Sequence, residues 1–164
     1  RIPEVIKVLK MNLNVALVSD AGTPAISDPG FKLIRECIKE GIKIVSIPGA
    51  SSVVSALVSS GLPTDKFMFL GFLPKKPGHR EKLLKDVNKS LNIVSQTVIF
   101  FESPFRLNKT LVELYDVYGN IEVVVARELT KMHEEIKRGK ISDVLAHFKS
   151  KSVKGEIVIL FSLK

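Results

Sequence analysis

The alternation of apolar and polar positions along the chain predicts a regular succession of strands and helices. Val15–Val18 is a short apolar run of the length of a buried strand. Asp28 and Pro29 supply a capping side chain and a first helical residue. Phe31, Leu33, Ile34, Cys37 and Ile38 then recur at helical spacing until Gly41. A second strand is expected over Ile42–Ile47. Pro48-Gly49 breaks it, Ser51 can cap a helix over residues 52–60, and Gly61 ends that helix. Leu62–Asp65 reads as a connector. Beyond it come a strand at Phe67–Leu70, a basic amphipathic helix from His79 to Lys89 and a strand at Thr97–Phe101. A helix opened by Ser103-Pro104 runs through Tyr118, followed by a strand at Ile121–Ala126, a helix at Ile141–Phe148 and a strand at Glu156–Phe161. Strands separated by helices throughout describe an α/β fold with crossover connections. Strand order restarts near residue 66, which predicts two domains, 1–66 and 67–164. The chain opens on Arg1 with a helical pattern, Pro3–Lys10, feeding straight into a strand. A domain rarely begins this way, so the start of the first domain is expected to be missing.

Charge sharpens the division. Residues 1–65 hold seven Lys/Arg and six Asp/Glu, whereas residues 66–164 hold 18 and 11. The excess cation therefore sits in the second half, where it fits either a polyanionic partner or a lysine-rich solvated surface. No apolar run is long enough to span a bilayer, and no signal peptide is visible at the start, so no membrane partner is expected. The lone Cys37 excludes an internal disulfide and fits a reducing, cytoplasmic setting. Neither G-x-G-x-x-G nor G-x-x-x-x-G-K-[ST] occurs, which removes the usual dinucleotide and P-loop signatures. His79, His133 and His147 are scattered, so no metal site is expected.

Four polar segments follow predicted strands, where ligands of open α/β sheets bind. In Ser19–Gly30, Gly22 allows close approach to the main chain, and Asp20 offers a carboxylate to an amine, a hydroxyl or a sulfonium-bearing ligand. Pro48–Ser52 combines small residues with a helix start, although capping alone accounts for Ser51. In Glu102–Arg106, the two named residues either pair structurally or meet a substrate. In Ala126–Lys131, Arg127 and Lys131 either hold phosphate or line a solvated loop.

These segments, with Gly71-Phe72-Leu73-Pro74 and Gly155-Glu156, occur in an order and spacing similar to the tetrapyrrole-methylase-like family, over essentially the whole chain. Ser-Asp-Ala-Gly-Thr-Pro and Ala-Arg-Glu-Leu-Thr-Lys most resemble the branch that 2′-O-methylates a cytidine of bacterial 16S ribosomal RNA. The resemblance implies a two-domain fold, each domain a sheet with crossover helices, a homodimer, and S-adenosyl-L-methionine in the interdomain cleft. It implies cofactor contacts from Asp20, Ala21, Gly22, Thr23, Pro24, Ser51 and Ser52, and from the strand ends near Phe101, Leu129 and Gly155. The partner would be 16S rRNA or the small ribosomal subunit. Contacts to it are expected from Lys75, Lys76, Arg80, Arg106, Arg127 and Lys131. The family's opening strand, its Pro-Thr-Pro-Ile-Gly-Asn-like loop and its Glu-Asp-Thr-Arg-like segment have no counterpart here. The implied reaction is in-line attack of a ribose 2′-oxygen on the sulfonium methyl. Glu102 is the expected general base, and Glu128 or a group outside this chain are the rivals. Two other readings remain: a relative acting on a small tetrapyrrole, and a non-catalytic RNA-binding fragment.

Overall fold

The computed structural model describes residues 1–150 and 152–163. Contacts divide the chain into two compact units, Arg1–Ser51 and Ser52–Lys164. No described helix is long and apolar enough to cross a membrane.

The first unit contains α1 (Ile2–Lys10) and α2 (Phe31–Lys39). Pro3 lies in the first turn of α1, where its missing N–H costs nothing. The helix α2 starts after Gly30 rather than at Pro29, because Asp28 does not cap it; the Asp28 carboxylate instead accepts the Ser19 hydroxyl. The two apolar runs read as strands, Val15–Val18 and Ile42–Ile47, belong to no sheet, and most of their large side chains are exposed. A strand is completed by a neighbour that takes up its N–H and C=O groups, and neither run has one in this unit.

The second unit begins with α3 (Ser52–Ser60) and continues β1 (Phe67–Phe72), α4 (Pro77–Ile93), β2 (Thr97–Glu102), α5 (Leu107–Tyr118), β3 (Glu122–Arg127), β4 (Glu135–Lys140), α6 (Ile141–Lys149) and β5 (Ile157–Phe161). The five strands form one sheet in the order β1-β2-β5-β3-β4. β1 and β2 run parallel, while β5 lies antiparallel to both of its neighbours, β2 and β3. Strand β4 returns antiparallel to β3. The C-terminal ends of β1, β2 and β3 therefore meet the N-terminal ends of β5 and β4 along one sheet edge.

Alternate residues of the central strands feed two cores. Val98, Phe100, Val125 and Ile159 pack with Leu84 of α4, Leu111 of α5 and Val144 of α6. Ile99, Val124, Val158 and Leu160 pack with Val53, Ala56 and Leu57 of α3. Burying a side chain of this size contributes roughly 1.5–3 kcal/mol. That packing is why the compact unit starts at Ser52 rather than near residue 67: α3 covers a face of this sheet. Arg138 of β4 fixes the helix further by donating to the Ser59 and Ser60 carbonyls at its C-terminal end.

Candidate functional site

In the first unit, two of the four polar segments come together. The Thr23 hydroxyl donates to the Ala50 carbonyl at 2.8 Å, tying Ser19–Gly30 to Pro48–Ser51. The Ser19 hydroxyl also donates to the Ala21 carbonyl at 2.9 Å. Ala25 and Ser27 are held at φ 68° and 58°, a left-handed conformation that residues with a Cβ adopt at a cost. Asp20, Ala21, Gly22 and Thr23 are exposed, and Pro24 is half-buried. This compact loop presents the Asp20 carboxylate and open main chain, a set suited to an ammonium group and to hydroxyls, while the Asp28 carboxylate is engaged by Ser19. Ser51 closes the unit and is half-buried; Ser52 is the first residue of α3 in the next.

In the second unit, the strand ends bring the remaining segments to one edge. Glu102 pairs with Ile157, and Arg127 pairs with both Ile157 and Glu135. Phe101 and Leu129 pack partly buried against the α3-side core, while Gly155 is exposed in the loop that enters β5. A bulge shapes the β1 end: Phe69 pairs with Ile99, and Phe72 with Phe101, so β1 carries one residue more than β2. Gly71, at φ 65°, makes the extra step possible. The result brings both Phe69 and Phe72 edge-on to the Phe101 ring, at centroid distances of 4.9 and 5.4 Å.

Glu102 is only 2% exposed, and both of its oxygens are occupied. Oε1 accepts the Ser103 N–H at 2.6 Å and the Arg106 Nε–H at 2.8 Å, and Oε2 accepts the Thr110 hydroxyl at 2.6 Å. Of the two roles open for Glu102 and Arg106, the geometry is that of the ion pair. A carboxylate so enclosed has no direction left from which to take a substrate proton. Arg106 also donates to the Leu73 carbonyl at 3.3 Å, joining the loops that follow β1 and β2. Arg80 lies beneath the first of these loops and is 1% exposed. Its guanidinium forks onto Glu113 of α5, reaching Oε1 at 2.6 Å, and donates to the Pro74 and Lys75 carbonyls at 2.9 and 3.2 Å. The hydrogen bonds to Glu113 hold the Arg80 guanidinium above the ordinary arginine value. Buried this way, Arg80 is not available to a phosphate.

The other cations at this edge also have partners. Arg127 reaches Glu135 at 3.1 Å and the Lys154 carbonyl at 3.1 Å. Lys131 bridges Glu128 and Glu156 at 3.1 and 3.0 Å. Glu128 in turn accepts the Glu156 N–H at 2.8 Å. That backbone bond, followed by the Lys131 ammonium, holds the Glu128 carboxyl below the usual glutamate range. The bond from Glu156, followed by that from Glu128, holds Lys131 above the ordinary lysine value. Glu128 and Thr130 sit at φ 51° and 65°, and a Cβ on Gly155 would overlap the Glu128 carboxylate. Lys75 and Lys76 differ: both are exposed, and neither has an acidic partner among the described residues. The latch from Glu128 to the loop before β5 has faint signs in the sequence, an acidic residue among the cations of Ala126–Lys131 and the Gly155-Glu156 pair, and neither tells that the two segments meet.

The family described as tetrapyrrole (corrin/porphyrin) methylases matches residues 2–145. A ribosomal RNA small subunit methyltransferase I of Thermotoga maritima is 46% identical over 164 residues, covering 100% of this chain and 72% of that protein. The protein of the same name from a Hydrogenobaculum species is 49% identical over 163 residues, covering 99% of this chain and 69% of its own length. Among solved structures, a cobalt precorrin-4 methyltransferase of cobalamin biosynthesis superposes with a TM-score of 0.68 at 20% identity, over 98% of this chain and 68% of that one. A uroporphyrin-III C-methyltransferase of Thermus thermophilus, complexed with S-adenosyl homocysteine, gives 0.54 at 15% identity, over 85% and 62%.

Proposed function

This chain belongs to the tetrapyrrole (corrin/porphyrin) methylase family, and from that membership we propose that it transfers a methyl group from S-adenosylmethionine to ribosomal RNA of the small subunit. A cytidine ribose 2′-hydroxyl is the proposed acceptor. The observation that carries the reading is identity of 46–49% to proteins named for small-subunit ribosomal RNA methylation, along essentially the whole chain. S-adenosylmethionine supplies an electrophilic methyl on a sulfonium. The chain's part is to bind it, to align the acceptor oxygen with carbon and sulfur, and to exclude competing water.

The proposed cofactor contacts of the first unit are Asp20, Ala21, Gly22, Thr23 and Pro24, with Ser51; those of the second are Ser52, Phe101, Leu129 and Gly155. The exposed Asp20 carboxylate beside open main chain supports the first set, because an amino acid moiety and ribose hydroxyls are ligands of that chemistry. Glu102 is left out of the proton transfer and assigned to holding Arg106 and the β2 exit. Lys75 and Lys76 are the proposed phosphate contacts, because they are the predicted RNA-binding cations that are exposed and have no acidic partner among the described residues. Assembly as a homodimer belongs to the same proposal, and light scattering of the purified chain tests it. The function itself is tested by incubating the protein with methyl-labelled S-adenosylmethionine and small ribosomal subunits from cells lacking this activity. Label in a cytidine 2′-O-methyl group is the expected result. Label in a tetrapyrrole but not in RNA would replace the proposed substrate, and RNA binding with no cofactor binding would favour the non-catalytic reading.

A further inference from the structure

Phe105 lies in the turn between β2 and α5 and is 97% exposed, close to the limit for a side chain in a folded protein. An isolated exposed apolar residue needs no explanation, but the turn that carries this one is fixed by hydrogen bonds. The Phe105 N–H donates to the Ser103 hydroxyl at 3.3 Å, and the next two N–H groups, of Arg106 and Leu107, donate to the Ser103 carbonyl at 2.9 and 3.1 Å. The following side chain, Arg106, is locked to buried Glu102 and to the Leu73 carbonyl. That last bond places the turn beside the loop after β1. There Arg80 pins the Pro74 and Lys75 carbonyls from beneath, while the Lys75 and Lys76 side chains stand in solvent. Phe72, just before the same loop, is 57% exposed and lies edge-on to Phe101 beyond the Gly71 bulge. The edge thus offers aromatic rings and, among the described residues, ammonium groups without an acidic partner, beside two arginines whose guanidinium groups are engaged by carboxylates and carbonyls.

We propose that Phe105, with Lys75 and Lys76 of the adjoining loop, forms a stacking platform for an unpaired base of single-stranded RNA. The ring takes the face of the base, and the two ammonium groups take the flanking phosphates. A flat apolar ring on a fixed turn, beside mobile point charges, matches an unstacked nucleotide, which presents a π-face and an anionic backbone within one residue's length. A duplex hides its base faces, so it would meet only the lysines. This inference rests on the RNA methyltransferase reading for its choice of nucleic acid, but its test does not depend on turnover.

The chain contains no tryptophan, so Phe105→Trp gives a single indole reporter at the proposed contact. Titration with an unstructured oligocytidylate should quench its emission saturably, and the same strand in a duplex should not. Phe105→Leu, which keeps an apolar side chain but loses the aromatic face, should bind the single strand about tenfold more weakly than the parent chain. Lys75→Ala with Lys76→Ala should lower the slope of log affinity against log salt by about 1.4. Unquenched emission together with parent-like affinity in Phe105→Leu overturns the platform. So does emission that shifts with protein concentration alone, which would place a second copy of the chain on Phe105. Methyl transfer to small subunits is measured in parallel with the parent chain. Failure there removes the enzymatic reading while the quenching and affinity results still decide the platform, and transfer with unquenched emission and parent-like affinity in Phe105→Leu removes the platform alone.

Discussion

The two ends of the sheet edge use the same residue types in opposite ways. At the β1–β2 end, arginines are drawn inward: Arg80 and Arg106 hold three loop carbonyls and two carboxylates, leaving Lys75, Lys76 and Phe105 outward. At the β3–β4–β5 end the cations stay near the surface, but carboxylates match them: Arg127 by Glu135, and Lys131 by Glu128 and Glu156. One end presents positive charge, and the other consumes it in closing its own loops. A planar, five-donor guanidinium serves well as a structural fork, whereas an ammonium on a flexible stem serves as a mobile surface charge. Counting cations after strand ends therefore overstates how many can meet a phosphate.

The strongest way to break the comparison is to remove the buried anion on which the β1–β2 end is built. Glu102→Gln should strand the Arg106 guanidinium and lower stability by about 3 kcal/mol, read from the midpoint of denaturant unfolding. If Glu102 were instead the catalytic base, the midpoint would hold and the turnover number alone would fall. At the opposite end, Gly155→Ala should cost about 2 kcal/mol, because φ +90° is strained for alanine and its Cβ meets the Glu128 carboxylate. Adding Glu128→Ala should return the steric part of that loss and leave the backbone part, a separation that a double-mutant cycle measures. Smaller again is the contrast in salt dependence. Lys76→Ala should reduce the salt slope of single-stranded RNA binding by about 0.7, whereas Lys131→Ala, whose charge is already matched, should leave it nearly unchanged.

Much of this was readable before the structure, for a physical reason. The strands β2, β3 and β5 are buried in the sheet's middle, β1 is a half-buried edge strand, and all four announce themselves as apolar runs, as α4, α5 and α6 do as helical periodicities. Strand β4 escaped because Glu135–Lys140 has a single large apolar residue, Ile136; it is an edge strand whose charges protect an open side, and its identity comes from pairing with β3. Val15–Val18 and Ile42–Ile47 mislead in the other direction: apolar character states that a segment favours burial, not that a partner strand is at hand. In the candidate site, position was legible and role was not. The strand-end placement of Glu102, Arg106, Arg127 and Lys131 follows from periodicity, but whether each cation faces a ligand or a carbonyl depends on residues 20 to 35 positions away, such as Leu73 and Lys154.

The finest distinction between the two ends is their response to pH. The folded state holds Glu128 below the ordinary glutamate value of 4.5, chiefly through the Glu156 N–H and then through Lys131. A carboxylate so shifted stabilises the fold only when ionised. Its contribution is complete above 4.5 and is lost as the pH falls through that value and on through the lower folded one. Lys131 is shifted upward from 10.5, so its contribution is complete below that value and is lost as the pH rises through the higher folded one. The latch is thus closed across the neutral range and loosens at either extreme. Lys131 is well exposed to solvent screening, so the effect should be local rather than global. Amide exchange at Glu156 should accelerate, beyond its intrinsic pH dependence, as the solution is taken from neutrality to about pH 3, and Glu128→Gln should show the faster rate already at neutrality. The amides of Lys75 and Lys76, whose loop is held by Arg80, should show no such acid limb. An equal acceleration at both ends would mean that the two loops open together and that the comparison fails.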